Sequence, residues 1–269
     1  MNETMVKGVN LICSQMLRVG LSVTKRTNPV EVKDLIQRLR PQNCGKELIR
    51  IGSPGDGGYL LPDDLAGIEY CFSPGVSDRS EFENQLADLG IKSFLADYSV
   101  DAPQVARPEL IFDKKFLGAS DRGNFMTLAS WKDKYLKDYA GDLILQMDIE
   151  GSEYEVILNM PDSLLSQFRI IVIEFHFLHK LYEQFAFRLL SPSFEKILQS
   201  FHVVHIHPND LGGIVKVGGI EIPKVMEFTF LNKKRVTSTT PRTAFPHPLD
   251  ADNGKDVSMP LPKCWYSAS

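Results

Sequence analysis

The sequence predicts an α/β fold in which a mostly parallel sheet carries helices on both faces. Short apolar runs that fit buried strands alternate with segments of helical spacing along most of the 269 residues. Several of these runs stop at an acidic or polar residue, and in open α/β sheets ligands bind outside the carboxyl ends of the strands. The segment between the last two runs, 211–223, is too short for a crossover helix, so we expect one antiparallel strand.

Composition and charge argue against several classes of protein. Hydrophobic residues make up 43% of the chain and the net charge is -4, which gives no reason to expect nucleic acid as a partner. The four cysteines have no C-x-x-C spacing, so reduced thiols in a cytoplasmic protein are expected rather than a zinc knuckle or a disulfide framework. Gln15, Arg18 and Lys25 interrupt the apolar N-terminal segment, so we expect neither a signal peptide nor a membrane span.

The chain divides into three predicted parts. Residues 1–45 form a helical extension, with one helix starting after Pro29, that packs on the main domain or on a second subunit of a homo-oligomer. Residues 46–236 hold the alternating pattern and form the main domain. Residues 237–269 are rich in proline, aspartate, asparagine and serine, which predicts an extended tail packed over the surface of the domain.

Two glycine-rich segments open the main domain. The segment 48–62 has a glycine cluster between apolar residues, which is typical of a hairpin, although glycines there would also let the backbone close over a ligand. The strand 68–74 runs into a turn at Gly75, and the helix 80–89 follows. The dinucleotide fingerprint G-x-G-x-x-G is absent, but a second strand ends at Asp97 about 20 residues later, where a ribose-binding carboxylate is expected.

The central prediction concerns the segment 142–155. Its apolar run, Leu143–Met147, fits a strand buried on both faces, and Asp148 comes directly after it. Helical spacing begins near Glu153, so the segment is a strand, a tight turn at Gly151 and a helix. Asp148 therefore belongs either to an active site or simply caps the helix that follows.

Four further strands complete the predicted sheet. One is expected at 109–112, another at 201–210, where it ends in polar residues, and the last at 225–231. The remaining strand, 169–176, closes on Glu174 and His176, whose side chains would face the same side about 7 Å apart along an extended strand.

These motifs together resemble the FkbM-type methyltransferase family over roughly residues 48–232. The segments that carry the resemblance are Asp56-Gly-Gly-Tyr59, Gly75-Val-Ser77, Phe82-Glu83, Asp97, Thr127-Leu128, Asp148-Ile-Glu-Gly-Ser-Glu153 and Ile173-Glu-Phe-His176. The tail segment 245–250 is also similar to the ending of one bacterial subgroup. The resemblance implies a Rossmann-like, seven-stranded methyltransferase sheet and an O-methyltransferase that uses S-adenosylmethionine, often on sugars of glycans, lipids or secondary metabolites.

The resemblance also implies where the cofactor binds. The residues expected to contact S-adenosylmethionine are Asp56, Gly75, Ser77, Glu83, Asp97, Tyr98 and Gly118. We expect Gly75 and Ser77 along its amino-acid part and Asp97 on the ribose. The first glycine turn departs from the commoner family pattern, Asp-x-Gly-x-Asn-x-Gly, and here reads Ser73-Pro-Gly-Val-Ser77.

Methyl transfer to a sugar hydroxyl requires positioning of the acceptor and removal of its proton. We expect Asp148, Glu174 and His176 to hold Mg²⁺ or Mn²⁺, since oxygen ligands with an imidazole suit these ions. Glu150 is expected to brace the turn, and His207 to lie near enough to accept the proton.

Three alternatives stay open at the level of the sequence. In a metal-free site, His176 or His207 acts directly as the base. The same carboxylates also fit a metal-dependent hydrolase or transferase that does not use S-adenosylmethionine. The degenerate glycine turn is compatible with a non-catalytic binding module in glycan assembly.

Overall fold

Seven strands form the central sheet of the computed structural model, which describes residues 3–77, 79–254 and 259–267. In chain order they are β1 (Tyr70–Pro74), β2 (Lys92–Ala96), β3 (Leu110–Asp113), β4 (Leu143–Met147), β5 (Phe168–Phe175), β6 (Phe201–Pro208) and β7 (Met226–Asn232). Their spatial order is β6-β7-β5-β4-β1-β2-β3. Adjacent strands in the spatial run β5-β4-β1-β2-β3 pair in parallel. Strand β7 is antiparallel to both β5 and β6. The predicted fold class is confirmed, including the antiparallel strand.

The α-helices follow the strands in the predicted alternation. In the described part of the chain they are α1 (Glu3–Arg18), α2 (Pro29–Arg38), α3 (Glu81–Asp88), α4 (Leu128–Leu136), α5 (Glu153–Asn159), α6 (Asp162–Leu165) and α7 (Gln184–Ser200). The Thr127 hydroxyl caps α4 by accepting from the Ser130 amide, and Asn28 caps α2 in the same way from Val30.

The two strands at the centre of the sheet are fully buried. Every residue of β4 and of β5 is buried, as expected for strands covered by other elements on both faces. Phe72, Leu145 and Phe228 are fully buried in one core that the helices cover. Each such side chain contributes roughly 1.5–3 kcal/mol by leaving water, so the strand ends above this core are held rigidly.

The predicted hairpin covers one face of the sheet. Its strands, Leu48–Gly52 and Gly58–Pro62, pair antiparallel, and the second strand packs over β5, β6 and β7. The Thr229 hydroxyl of β7 donates to the Leu60 carbonyl at 2.7 Å. This attachment holds Tyr59 over β4, where its hydroxyl lies 3.2 Å from the Gln146 amide nitrogen.

Both ends of the chain contribute to the core of the main domain. Val32, Leu35 and Ile36 of α2 are buried in it. From the tail, Trp265 is fully buried and its indole nitrogen donates to the Glu221 carbonyl at 3.0 Å. The predicted division at residues 45 and 237 therefore stays a prediction. Within the described ranges, no helix has the length and apolar character needed to cross a bilayer.

Candidate active site

A cavity of about 550 Å³ opens over the carboxyl ends of β1, β2 and β4. Asp56, Gly75, Ser77 and Asp97, four of the predicted cofactor contacts, line this cavity together with Asp148. Their elements explain the arrangement, because the ends of parallel strands meet at one edge of the sheet.

Gly75 allows the loop after β1 to pass directly over the end of β4. Its φ is +86°, and a Cβ atom at this position would lie 1.5 Å from the Asp148 carbonyl oxygen. Its amide donates to the Ala96 carbonyl at 2.8 Å, which ties the loop to β2. Ser77 follows with φ +48°, a left-handed conformation that is uncommon for a residue other than glycine. The turn is thus built for close backbone approach despite its departure from the family pattern.

Asp97 lies at the end of β2 with both carboxylate oxygens engaged. One oxygen accepts from the Ser77 amide at 2.9 Å. The other accepts from the Ser99 amide at 2.8 Å and from the Ser99 hydroxyl at 2.6 Å. These bonds fix the carboxylate at the cavity wall, where a ligand hydroxyl can reach it.

Glu83 lies beneath the cavity rather than in its wall. It is buried against the Ser73 hydroxyl, which also lies 2.6 Å from the Gln146 side-chain oxygen. The Ser73 hydroxyl has one proton and can donate to only one of these two oxygens. A proton on Glu83 would supply the other hydrogen bond. Burial raises the pKa of Glu83 to about 7. Glu83 lines a separate cavity of about 90 Å³ that shares Asp56 and Asp148 with the larger one.

Tyr98 and Gly118 do not line the 550 Å³ cavity. The Tyr98 ring packs 5.3 Å from the Phe116 ring, and the Gly118 amide donates to the Met126 carbonyl. Their neighbours Phe116 and Leu117, with Phe125, form the apolar wall instead. Sequence reasoning missed these residues, although the apolar residues on either side of the loop were a usable signal.

Beside the cavity, the sheet brings together the predicted metal ligands. Asp148, Glu174 and His176 each offer one ligand atom, and these atoms lie within 4.8 Å of one another. Met147 of β4 pairs with Ile173 of β5. Asp148 and Glu174, the next residues along the two strands, therefore lie side by side. The His176 Nε2 atom lies 3.9 Å from Asp148 Oδ1 and 3.6 Å from Glu174 Oε1. Asp148 Oδ1 is buried and has no hydrogen-bond partner.

Glu153, and not Glu150, braces the turn after β4. The fully buried Glu153 carboxylate accepts from the amides of Ile149 and Gly151, at 3.1 and 3.0 Å. Its same oxygen lies 3.2 Å from His176 Nδ1. The side chain of Glu150 is 87% exposed, and its carboxylate lies 3.4 Å from His176 Nε2. The bracing role predicted for Glu150 is therefore wrong, because the turn directs its side chain towards solvent.

The acids of the cluster lie in conditions that oppose their ionisation. Burial raises the pKa of Asp148 well above its usual range, and the Glu174 carboxylate raises it further. Burial and then the Glu227 carboxylate raise the pKa of Glu174 to about 8. Burial disfavours the His176 imidazolium, but its bond to Glu153 and the surrounding acids outweigh this and raise its pKa to about 9. The cluster thus favours bound protons or a cation.

His207 lies outside this cluster. Strand β7 separates it from Glu174, with Glu227 paired in register to both residues. Two strand spacings place the Cα atoms of His207 and Glu174 roughly 10 Å apart. The prediction that His207 lies near enough to accept the proton therefore stays a prediction. Its Nδ1 atom instead lies 3.7 Å from a carboxylate oxygen of Asp250.

Sequence reasoning also missed three polar residues around the cluster. The Asn209 side chain donates to Glu174 at 3.1 Å. Asn253, from the tail, lies 3.1 Å from Asp56 and 3.5 Å from the buried carboxylate of Glu227. A charged residue inside the apolar run of β7 was the one available signal for Glu227.

The sheet order, the antiparallel β7 and the cavity over β1, β2 and β4 define a methyltransferase fold with a candidate active site at its carboxyl edge. The Methyltransferase FkbM domain matches residues 126–207, which include Asp148, Glu174 and His176. The predicted resemblance to FkbM-type methyltransferases is confirmed over these residues. A methyltransferase domain of this kind implies S-adenosylmethionine as the methyl donor.

Several solved structures are similar to the chain at low identity. A protein described as a DNA modification methyltransferase encoded within an E. coli prophage is 10% identical, over 68% of this chain and 52% of its own, with a TM-score of 0.41. The chain thus spans about half the length of that protein. The fibrillarin/Nop5p complex gives 12% identity, 62% and 74% coverage and a TM-score of 0.36. The N-methyltransferase NodS from Bradyrhizobium japonicum is 6% identical, over 76% of this chain and 95% of its own, with a TM-score of 0.33. No curated protein matches the chain.

Proposed function

We propose that the protein is an S-adenosylmethionine-dependent O-methyltransferase that acts, with the help of a divalent cation, on a sugar hydroxyl of a glycan or glycoconjugate. One observation carries the proposal. Asp148 lines the 550 Å³ cavity and also belongs to the cluster with Glu174 and His176. A methyl donor in the cavity and an acceptor on the cluster would meet at this residue.

The cavity residues fit S-adenosylmethionine. Its volume of about 550 Å³ is within the usual range for small-molecule sites. Gly75 and Ser77 offer a left-handed turn without side-chain obstruction at Gly75, Asp97 offers a fixed carboxylate for ribose hydroxyls, and Phe116 and Phe125 offer an apolar wall. When bound, S-adenosylmethionine supplies an electrophilic methyl group.

The cluster residues fit a divalent cation. Two carboxylates and one imidazole form a suitable ligand set for Mg²⁺ or Mn²⁺, and the unpartnered Asp148 Oδ1 is a buried oxygen in need of a positive group. Glu153 holds His176 Nδ1, so Nε2 faces the acids, which is the arrangement of metal-binding histidines whose other nitrogen is held by a carboxylate. When bound, the cation lowers the pKa of an acceptor hydroxyl.

The chain's own residues then position the acceptor. Glu174 is held by Asn209, and His176 is held by Glu153, so neither side chain needs to reorganise. Asp148 belongs to both the cavity wall and the cluster, so an acceptor held at the cluster has its hydroxyl oxygen beside the cavity.

The charge of the site supports a polyhydroxylated acceptor. The groups around the cluster, Asp56, Asp148, Glu150 and Glu174, are carboxylates that accept hydrogen bonds from hydroxyl donors and repel phosphates. This chemistry favours a sugar unit over DNA or RNA as the acceptor.

The experiment is methyl transfer to glycan extracts in EDTA and after Mg²⁺ or Mn²⁺ is added back, with S-adenosylhomocysteine affinity measured in parallel by calorimetry. We expect turnover to be lost in EDTA and restored by the ion, and affinity for S-adenosylhomocysteine to be unchanged. Full turnover in EDTA would refute the requirement for a metal and leave His176 or His207 as the candidate base. Absence of S-adenosylhomocysteine binding, or methyl transfer to nucleic acid alone, would overturn the proposal.

A further inference from the structure

We propose that the segment Leu11–Arg26, together with a cation-lined cavity beside it, is a docking surface for an anionic lipid bilayer. The segment covers the last turns of α1 and the chain that leads to α2. Side chains from Leu11 to Arg26 are exposed, with the single exception of the partly buried Cys13.

The exposed side chains of this segment are largely apolar. Leu11 is 63% exposed, Leu17 65% and Val19 72%, and Leu21 and Val23 continue the series. Soluble proteins rarely expose contiguous apolar surface of this kind unless it binds a partner or a membrane. Burial of these side chains at the level of the lipid headgroups would remove them from water.

The positive charge of the segment favours an anionic partner. Residues 4–30 contain Lys7, Arg18, Lys25 and Arg26 and no acid, although the whole chain has a net charge of -4. Two copies of this segment packed together would bring like charges into contact without an acid to pair them. An anionic lipid surface instead attracts each basic residue while it receives the apolar ones.

A second observation lies where the segment joins the domain. A cavity of about 530 Å³ is lined by Lys33, Arg40 and Lys263, and its acid, Glu221, is paired with Lys216 at 2.8 Å. The guanidinium of Arg26 lies against Gly218, next to Gly219 in the cavity wall.

Three cations around a cavity of this size fit the phosphate of a lipid headgroup. The segment therefore ends, at Arg26, beside the headgroup site, so a docked bilayer would contact both.

The test is co-sedimentation of the full chain with vesicles of phosphatidylcholine alone and of phosphatidylcholine with phosphatidylglycerol. We expect binding to the anionic vesicles only, with affinity falling as NaCl is added. Leu17→Asp should lower the affinity at least tenfold, whereas Leu89→Asp, which changes a leucine of 56% exposure at the end of α3, should not. Lys33→Glu with Lys263→Glu should lower it about tenfold and Lys137→Glu should leave it unchanged.

Circular dichroism of each variant checks that it is folded. Sedimentation equilibrium separates the bilayer from a second copy of the chain. A dimer that Leu17→Asp converts to monomer, without specific vesicle binding, would overturn the proposal and assign the segment to self-association. Equal binding to both kinds of vesicle, or no binding to either, would also overturn it. These measurements do not involve methyl transfer, so their outcome is independent of the proposed catalytic function.

Discussion

Asp97 and Asp148 each follow a parallel strand at the same edge of the sheet, yet their surroundings differ. The two oxygens of Asp97 accept three hydrogen bonds, from the Ser77 amide and from the amide and hydroxyl of Ser99. Asp148 has a buried oxygen without a hydrogen-bond partner, and burial with the nearby Glu174 raises its pKa.

The difference follows from the neighbouring elements. The turn after β1 directs an amide towards Asp97, so that carboxylate is complete before any ligand binds. Asp148 is flanked instead by β5, which ends in Glu174, and β7 adds Glu227 beyond it. One half of the edge is thus preorganised to hold a ligand, whereas the other half stays electrostatically incomplete until a proton or a cation is bound.

Asp148→Asn and Glu174→Gln should have the largest effect on activity. Each removes a charge that the proposed chemistry requires, so we expect methyl transfer to fall by roughly 10²–10⁴-fold, the scale of a positioned acid or base. Each also relieves repulsion between acids, so thermal unfolding should occur at an equal or higher temperature. Asp97→Asn is the matched control, with weaker cofactor binding but a turnover number close to wild type. Turnover of Asp148→Asn at the wild-type rate would remove this acid from the reaction.

Gly75→Ala tests the contact between the two halves. The added Cβ would lie 1.5 Å from the Asp148 carbonyl oxygen, so we expect the free energy of unfolding in urea to fall by roughly 3 kcal/mol or more. Gly90→Ala is the control, because Gly90 has a similar φ of +82° but no atom within 4 Å of the added Cβ. That change should cost only about 1–2 kcal/mol, the price of the left-handed conformation. Similar losses in the two variants would contradict the steric explanation.

Glu83→Gln sharpens the comparison through pH. Burial raises the pKa of Glu83 in the folded chain to about 7 from 4.5, so folding binds a proton between these values. The stability that this group contributes is complete below pH 4.5 and is lost as the pH rises through 7. At pH 8 the wild-type carboxylate should therefore cost about 3 kcal/mol, by 1.36 kcal/mol per pKa unit. We expect the glutamine variant to be more stable than wild type at pH 8 and to lack this slope in urea denaturation across the same pH range. Parallel pH profiles of the two proteins would rule out a protonated Glu83.

Asp97→Ala should have the smallest effect. Loss of the fixed carboxylate should weaken S-adenosylhomocysteine binding by roughly 1–3 kcal/mol, the scale for an unpaired buried polar group. Calorimetry measures the dissociation constant, and Ser99→Ala serves as a control that removes one of the three bonds to Asp97 but keeps the carboxylate. An unchanged dissociation constant for Asp97→Ala would exclude Asp97 from the cofactor site.

The sequence by itself determined the strands, their alternation with helices and the residues at which the strands end. Apolar runs such as Leu143–Met147 carry this information because burial on both faces demands it locally. The same reasoning placed Asp148, Glu174 and His176 together, since two of them end neighbouring strands and the third lies two residues further along.

Only the tertiary structure decided which polar groups meet beyond those strand ends. Glu150 and Glu153 are three residues apart in one acidic turn, and the left-handed φ of +57° at Glu150 leaves Glu153 as the brace. His207 ends a strand as Asp148 does, but β7 inserts between β5 and β6 and separates them. Asp250 reaches His207 and Asn253 reaches Asp56 from a tail with no periodic pattern. Strand formation depends on neighbours along the chain, whereas the order of strands and the path of the tail depend on packing between residues far apart in sequence.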